Sequence, residues 1–222
     1  MGGQQVPLAA NFTAGYGLWL ARSGFARESL RALLGRAGGI VRPRVQAMQP
    51  WNPQRRIVVM LHGLASSPEA WANVANEIMG DDTLRRNFQI WHVYYPTNAP
   101  LALNVQSIRA ALQETLTHYD PAGTAPASRD ITLVGHSMGG VLARLLVARS
   151  DGALRDLLPV APGNAFGMAL TFTPFPGVSR AVFIAAPHRG TPFAEQPLVR
   201  RFANRRLRWR AEAFAASPPA RG

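Results

Sequence analysis

Two apolar patterns alternate along the chain between residues 57 and 186. Short β-branched runs such as Ile57-Val-Val-Met-Leu61 and Ile131-Thr-Leu-Val134 have the length and composition of buried strands. Longer stretches between them space their apolar residues three and four apart, as an amphipathic helix does. The pattern predicts strands over 57–61, 88–95, 131–135 and 180–186, and helices over 68–80, 101–119 and 138–149. Strands that alternate with helices of this length build a doubly wound, mostly parallel α/β sheet, with helices on both faces. Pro121 to Arg129 reads as a loop by composition.

Outside this alternation the pattern weakens. Residues 1 to about 20 are expected to be irregular, while Gly17 to Leu34 has helical apolar spacing with arginines between, a basic amphipathic segment. Gly35 to Pro53 is broken by Gly38-Gly39, Pro43, Pro50 and Pro53 and reads as a linker. An insertion over 151–179 separates the 138–149 helix from the last strand. The shifts divide the chain into an arm and linker over 1–55, an α/β domain over 56–197, and an arginine-rich tail over 198–222 expected to be disordered.

Composition removes several function classes. A chain of 222 residues without cysteine has no thiol nucleophile, disulfide or thiolate metal site. All 24 basic residues are arginine, and the formal net charge is +12. Nucleic acid is not the expected partner, because no binding motif is present and no aromatics alternate with the arginines as a stacking platform. Attraction to acidic surfaces or to anionic lipid, the latter as a peripheral membrane contact, fits such a field better. No run approaches the ~18 apolar residues of a membrane span, and the first residues lack a signal-peptide pattern. A cytoplasmic location is the default expectation. Oligomeric state is not legible.

The chemistry concentrates in Gly135-His-Ser137-Met-Gly139, a G-x-S-x-G elbow between a predicted strand and a predicted helix. Such a turn lifts the serine hydroxyl above the sheet and makes Ser137 the candidate nucleophile. Gly135 and Gly139 keep Cβ atoms out of the crowded turn. A second motif, His62-Gly63-Leu64, follows the 57–61 strand. Acyl transfer needs backbone N–H groups aimed at the developing oxyanion, and in this geometry Met138 and Leu64 are the candidate donors. His62, Gly63 and His136 are expected to shape the loop and the elbow, and no histidine has metal-ligand spacing. No metal or organic cofactor is implied.

With these motifs the chain resembles the α/β-hydrolase superfamily from about Arg56 to about Phe193. Within it the chain is similar to bacterial lipase and esterase-type proteins, relatives of PGAP-type deacylases. That likeness rests on Gly-His-Ser-Met-Gly-Gly140, Trp71-Ala-Asn73, Tyr94-Tyr-Pro-Thr97 and Phe183-Ile-Ala-Ala-Pro-His-Arg-Gly-Thr191. The resemblance implies a serine hydrolase acting on lipid or small-molecule carboxylic esters through an acyl-enzyme. It also makes the 151–179 insertion cap-like, with phenylalanines that line an acyl pocket, meet a lipid interface or plug the core. In this family the triad acid and histidine follow two further strands, which would lie beyond Phe193 and are expected to be missing. The sheet is therefore expected to be C-terminally incomplete. His188 is the candidate base that remains after Ser137, with Asp156 or Glu195 as its orienter. Two readings stay open: a piece of a larger ester hydrolase, and a non-catalytic module that binds acyl or lipid ligands.

Overall fold

The computed structural model describes residues 11, 13–24, 27, 42–150 and 170–190. Five strands, β1 (Arg44–Ala47), β2 (Arg56–Leu61), β3 (Phe88–Tyr94), β4 (Ile131–His136) and β5 (Val178–Ile184), form one sheet in the order β1-β3-β2-β4-β5. β2, β3, β4 and β5 run parallel, and β1 pairs antiparallel with β3 at the edge.

The helices are α1 (Ala14–Ser23), α2 (Ala72–Gly80), α3 (Asp82–Asn87), α4 (Leu101–Tyr119), α5 (Pro126–Arg129) and α6 (Met138–Val147). A 3-10 turn, Pro68–Trp71, leads into α2 and starts on a proline whose missing N–H is harmless there. β2 shows why this is a two-faced sheet. Ile57, Val59 and Leu61 pack with Val105, Ile108 and Leu112 of α4 and Leu142 and Leu146 of α6. Val58 and Met60 pack on the other face with Trp71, Ala75 and Met79. A strand covered on both faces reads as an unbroken apolar run, which is how it stands in the sequence.

The long elements match the expected ranges to within two residues, apart from the 3-10 start before α2. Four features differ. The expected linker over 35–53 contains β1, a half-buried edge strand of four residues between Pro43 and Met48. Its pairing is supplied by β3, with Arg44 opposite Tyr94 and Ala47 opposite Trp91, so it needs no apolar run of its own. The first helix begins at Ala14, inside the stretch expected to be irregular, and ends at Gly24, whose φ of 75° is the left-handed cap that stops a helix. Residues 25, 26 and 28–34 of the expected amphipathic segment lie outside the described residues. The expected loop 121–129 carries the short α5, and α3 was not anticipated.

The insertion lies outside the described residues up to residue 169, as does the whole 198–222 tail. Its last part is core. Phe175 joins the cluster under α4 and α6, and its N–H donates to the Leu146 carbonyl at 2.7 Å. Ser150 and Phe172 bond reciprocally, backbone to backbone at 3.1 Å and Phe172 N–H to the Ser150 hydroxyl at 3.1 Å. Among the described residues no helix is long and apolar enough to cross a membrane.

Candidate active site

β2 and β4 are parallel neighbours, with Leu61 opposite Gly135, so the loops beyond them leave the sheet side by side. One begins at His62 and the other is Ser137. Loops at the carboxyl ends of parallel strands are where such sheets gather their chemistry.

Ser137 is the N-cap of α6, with φ 53° and ψ −120°. That conformation is sparsely populated for a side chain with a Cβ and costs about 1–3 kcal/mol. Three contacts hold it. The Ser137 N–H donates to the Ile184 carbonyl of β5 at 2.9 Å, and its carbonyl accepts from Gly140 at 3.0 Å and Val141 at 3.4 Å. A serine at an N-cap ordinarily turns its hydroxyl back onto the helix. Here the side chain makes no capping bond, so the half-buried hydroxyl is left for other work.

Close approach of backbone to backbone explains the glycines. A Cβ on Gly135 would fall 2.3 Å from the Gly139 carbonyl oxygen, and one on Gly139 would fall 2.2 Å from that of Leu61. Gly63 brings the second loop in. A Cβ there would lie 3.2 Å from His136 Nδ1 and 3.3 Å from Ser137 Cβ. Leu64, next along and 38% exposed, therefore stands beside the elbow. Among the described residues neither the Leu64 N–H nor the Met138 N–H is given to a protein acceptor. Met138 is the first residue of α6, where N–H groups have no partner within the helix.

His62 is buried and stacked on Tyr95, ring centroids 4.2 Å apart and planes 9° apart. Its Nδ1 lies 3.0 Å from the Gly63 carbonyl, which can only accept, so Nδ1 carries the proton. Nε2 is left to accept from the Tyr95 N–H at 3.5 Å. Burial lowers its pKa from 6.5 to about 4, partly offset by the bond to Gly63, so the ring is neutral at pH 7. Burial pushes the Tyr95 phenol up, and it donates to the His62 carbonyl.

His188 is exposed, past the end of β5, with its ring edge-on to Phe183 at 5.0 Å. Among the described residues no hydrogen bond joins it to Ser137. Asp156 and Glu195, its expected orienters, lie outside the described residues. His136 is exposed at the end of β4. Among the described residues no cluster of three or more His, Asp or Glu could hold a metal ion.

The strand order, the strained serine and the adjoining His-Gly loop together form one recognisable assembly. The sequence model of the Alpha/beta hydrolase family matches residues 58–222. The chain belongs to that family. Among solved structures, this alpha/beta hydrolase is similar to the lipase BlEst2 of Bacillus licheniformis in its mature form. The match has 19% identity and a TM-score of 0.41, covering 72% of this chain and 56% of that one. An inhibited esterase B from Lactobacillus rhamnosis matches at 15% identity and TM-score 0.44, covering 86% of this chain and 65% of that one. The esterase Est2 of Thermogutta terrifontis matches at 18% identity and TM-score 0.43, covering 74% and 57%. The chain thus spans 56% to 65% of the length of these three proteins. No curated protein sequence matches it.

Sequence reasoning did not assign parts to three neighbours of the site in this alpha/beta hydrolase. The Ile184 carbonyl fixes the Ser137 backbone, and Tyr95 and Thr97 bond to the His62 loop. Tyr94-Tyr-Pro-Thr97 stands out as a motif, yet nothing in its spacing says which backbone groups it grips.

Proposed function

We propose that this chain belongs to a serine hydrolase that cleaves carboxylic esters of the lipase and esterase type through an acyl-enzyme on Ser137. The observation that carries the reading is the Ser137 backbone, held at φ 53° with its hydroxyl withheld from helix capping. Strain of this kind persists only where the surroundings over-determine it, and it gathers at functional sites. Ser137 Oγ attacks the ester carbonyl carbon and loses its proton to a base, and the carbonyl oxygen takes the negative charge. Leu64 and Met138 N–H groups receive that oxygen. The alkoxide leaves with a proton as the alcohol, and water then releases the acid from the acylated serine. Removing one such donor elsewhere costs about 10²–10³ in rate. His62, Gly63, Gly135, His136 and Gly139 shape the loop and elbow around this chemistry.

His188 is the candidate base among the described residues, and its hydrogen bond to Ser137 would have to form with substrate. That missing bond favours a second reading, a non-catalytic module that holds acyl or lipid ligands in the same cleft. Hydrolysis of p-nitrophenyl butyrate and labelling by a fluorophosphonate distinguish the two. The hydrolase reading expects slow labelling that disappears in Ser137→Ala. Equal signals from the parent and Ser137→Ala leave only the binding module. Labelling unchanged in His188→Ala removes His188 as the base.

A further inference from the structure

We infer that Tyr95 and Thr97 are positioning residues that set the Leu64 N–H for the oxyanion by clamping the His62–Ala65 loop at both ends. The inference rests on the ester-hydrolase reading of Ser137 given above.

The loop after β2 has little backbone pairing of its own. Its first residue is held by the Tyr95 hydroxyl, which donates to the His62 carbonyl, and by the stacking of the His62 ring on Tyr95. Its last residue is held by Thr97, whose Oγ1 accepts from the Ala65 N–H at 3.3 Å. Ala65 has φ 53°, a strained value for alanine that such a bond helps to maintain. Gly63 and Leu64 lie between these two anchors, and Gly63 stands against Ser137.

Both anchors come from the one segment that follows β3, and that segment is itself pinned. Asn104 of α4, 1% exposed, donates from Nδ2 to the Pro96 carbonyl at 2.9 Å. Tyr95 is fully buried and Thr97 is 5% exposed, so neither hydroxyl is positioned to touch a substrate arriving from solvent. Their hydroxyls do not merely fill space, because each is spent on a backbone group of the same loop. A donor that engages only the oxyanion affects the transition state more than the bound ester. A loosened Leu64 therefore lowers kcat and leaves KM in place.

The test uses the full chain and p-nitrophenyl butyrate, with Thr97→Val replacing the hydroxyl by a methyl of similar size. The expected result is a kcat lower by about 10–100-fold, the scale of a catalytic group displaced by about 1 Å, with KM within about twofold. Thr97→Ser should recover most of the loss, and the thermal midpoint of Thr97→Val should stay within about 5 °C of the parent. Tyr95→Phe, which keeps the stacked ring, carries the same test if Thr97→Val does not fold. The second-order rate of Ser137 phosphonylation by a fluorophosphonate gives the same ratio without turnover. A Ser137-dependent reaction that Thr97→Val and Tyr95→Phe leave unchanged, or a loss that Thr97→Ser does not restore, overturns the inference and leaves the hydrolase reading standing. A reaction independent of Ser137, or no reaction of Ser137 at all, defeats the hydrolase reading itself.

Discussion

A Cβ at residue 139 would have to occupy space already held by the Leu61 carbonyl oxygen, 2.2 Å away. Backbone cannot yield as a side chain can, so Gly139→Ala is expected to destabilise by about 1–3 kcal/mol, read as a lower urea midpoint. Gly80→Ala meets nothing within 4 Å at the end of α2 and should leave the midpoint unchanged or raise it by about 0.5 kcal/mol. Two buried histidines shape the pH response between about pH 6.5 and 3. His62 is lowered to about 4, and His92 is lowered from 6.5 to about 3 by burial and then by the nearby His62. His92 faces Tyr16, whose hydroxyl lies 2.8 Å from Nδ1 and 3.1 Å from Gln46 Oε1, while His92 Nε2 is buried without a partner among the described residues. Between the unfolded value near 6.5 and the folded values, the unfolded chain holds protons that the folded one does not. Their contribution to stability should therefore be full above about pH 6.5 and be lost as pH falls through the folded values of about 4 and about 3, while Asp130, whose carboxyl is held low by its bond from Ser179, carries the loss into more acidic solution. Urea midpoints at several pH values check this, and His92→Gln should flatten the fall.

At the scale of elements, buried polar joints should outweigh exposed ion pairs. Gln89 of β3, 1% exposed, donates from Nε2 to the Asn52 and Arg55 carbonyls at 2.7 Å each and accepts from the Asn52 N–H at 3.2 Å. Gln89→Leu leaves those partly buried groups unpaired and should cost about 1–3 kcal/mol. Asp130, ahead of β4, pairs with Arg56 at 3.0 Å and Arg180 at 2.9 Å and bonds the Ser179 hydroxyl, but it stays partly open to solvent. Asp130→Ala should cost under about 1 kcal/mol, and less still in high salt. A Gln89→Leu change smaller than that of Asp130→Ala would reverse this ranking. The same contrast governs what the sequence revealed. β2, β4, α4 and α6 were legible because burial writes itself as an apolar run or a helical stripe. β1 was not, because Arg44-Val-Gln-Ala47 is a strand by virtue of β3 alone. Ser137, Gly135 and Gly139 stood out because crowding admits few residue types, and the Gly63 loop followed from its neighbour strand. The grip of Tyr95 and Thr97 on that loop was hidden, since it joins segments more than 30 residues apart by hydroxyl geometry.

At the scale of the whole molecule, β5 has a partner on one side among the described strands, and Val182, Phe183 and Ile184 are 38–46% exposed. Apolar edge strands favour pairing between chains. Val182→Lys is expected to raise the concentration at which the protein stays dispersed, with little change in its unfolding midpoint. Equal light scattering from the parent and Val182→Lys would count against this. The strand order has a consequence for how the molecule is made. β2 lies between β3 and β4, yet about 70 residues of chain separate its end from the start of β4. At about 5–20 residues per second on a ribosome, that interval is roughly 4–14 s. Throughout it one edge of the most apolar strand has no partner, and the His62 loop has no elbow to rest against. A nascent chain paused before residue 131 should for that reason be held by a chaperone that a chain extended past α6 no longer recruits.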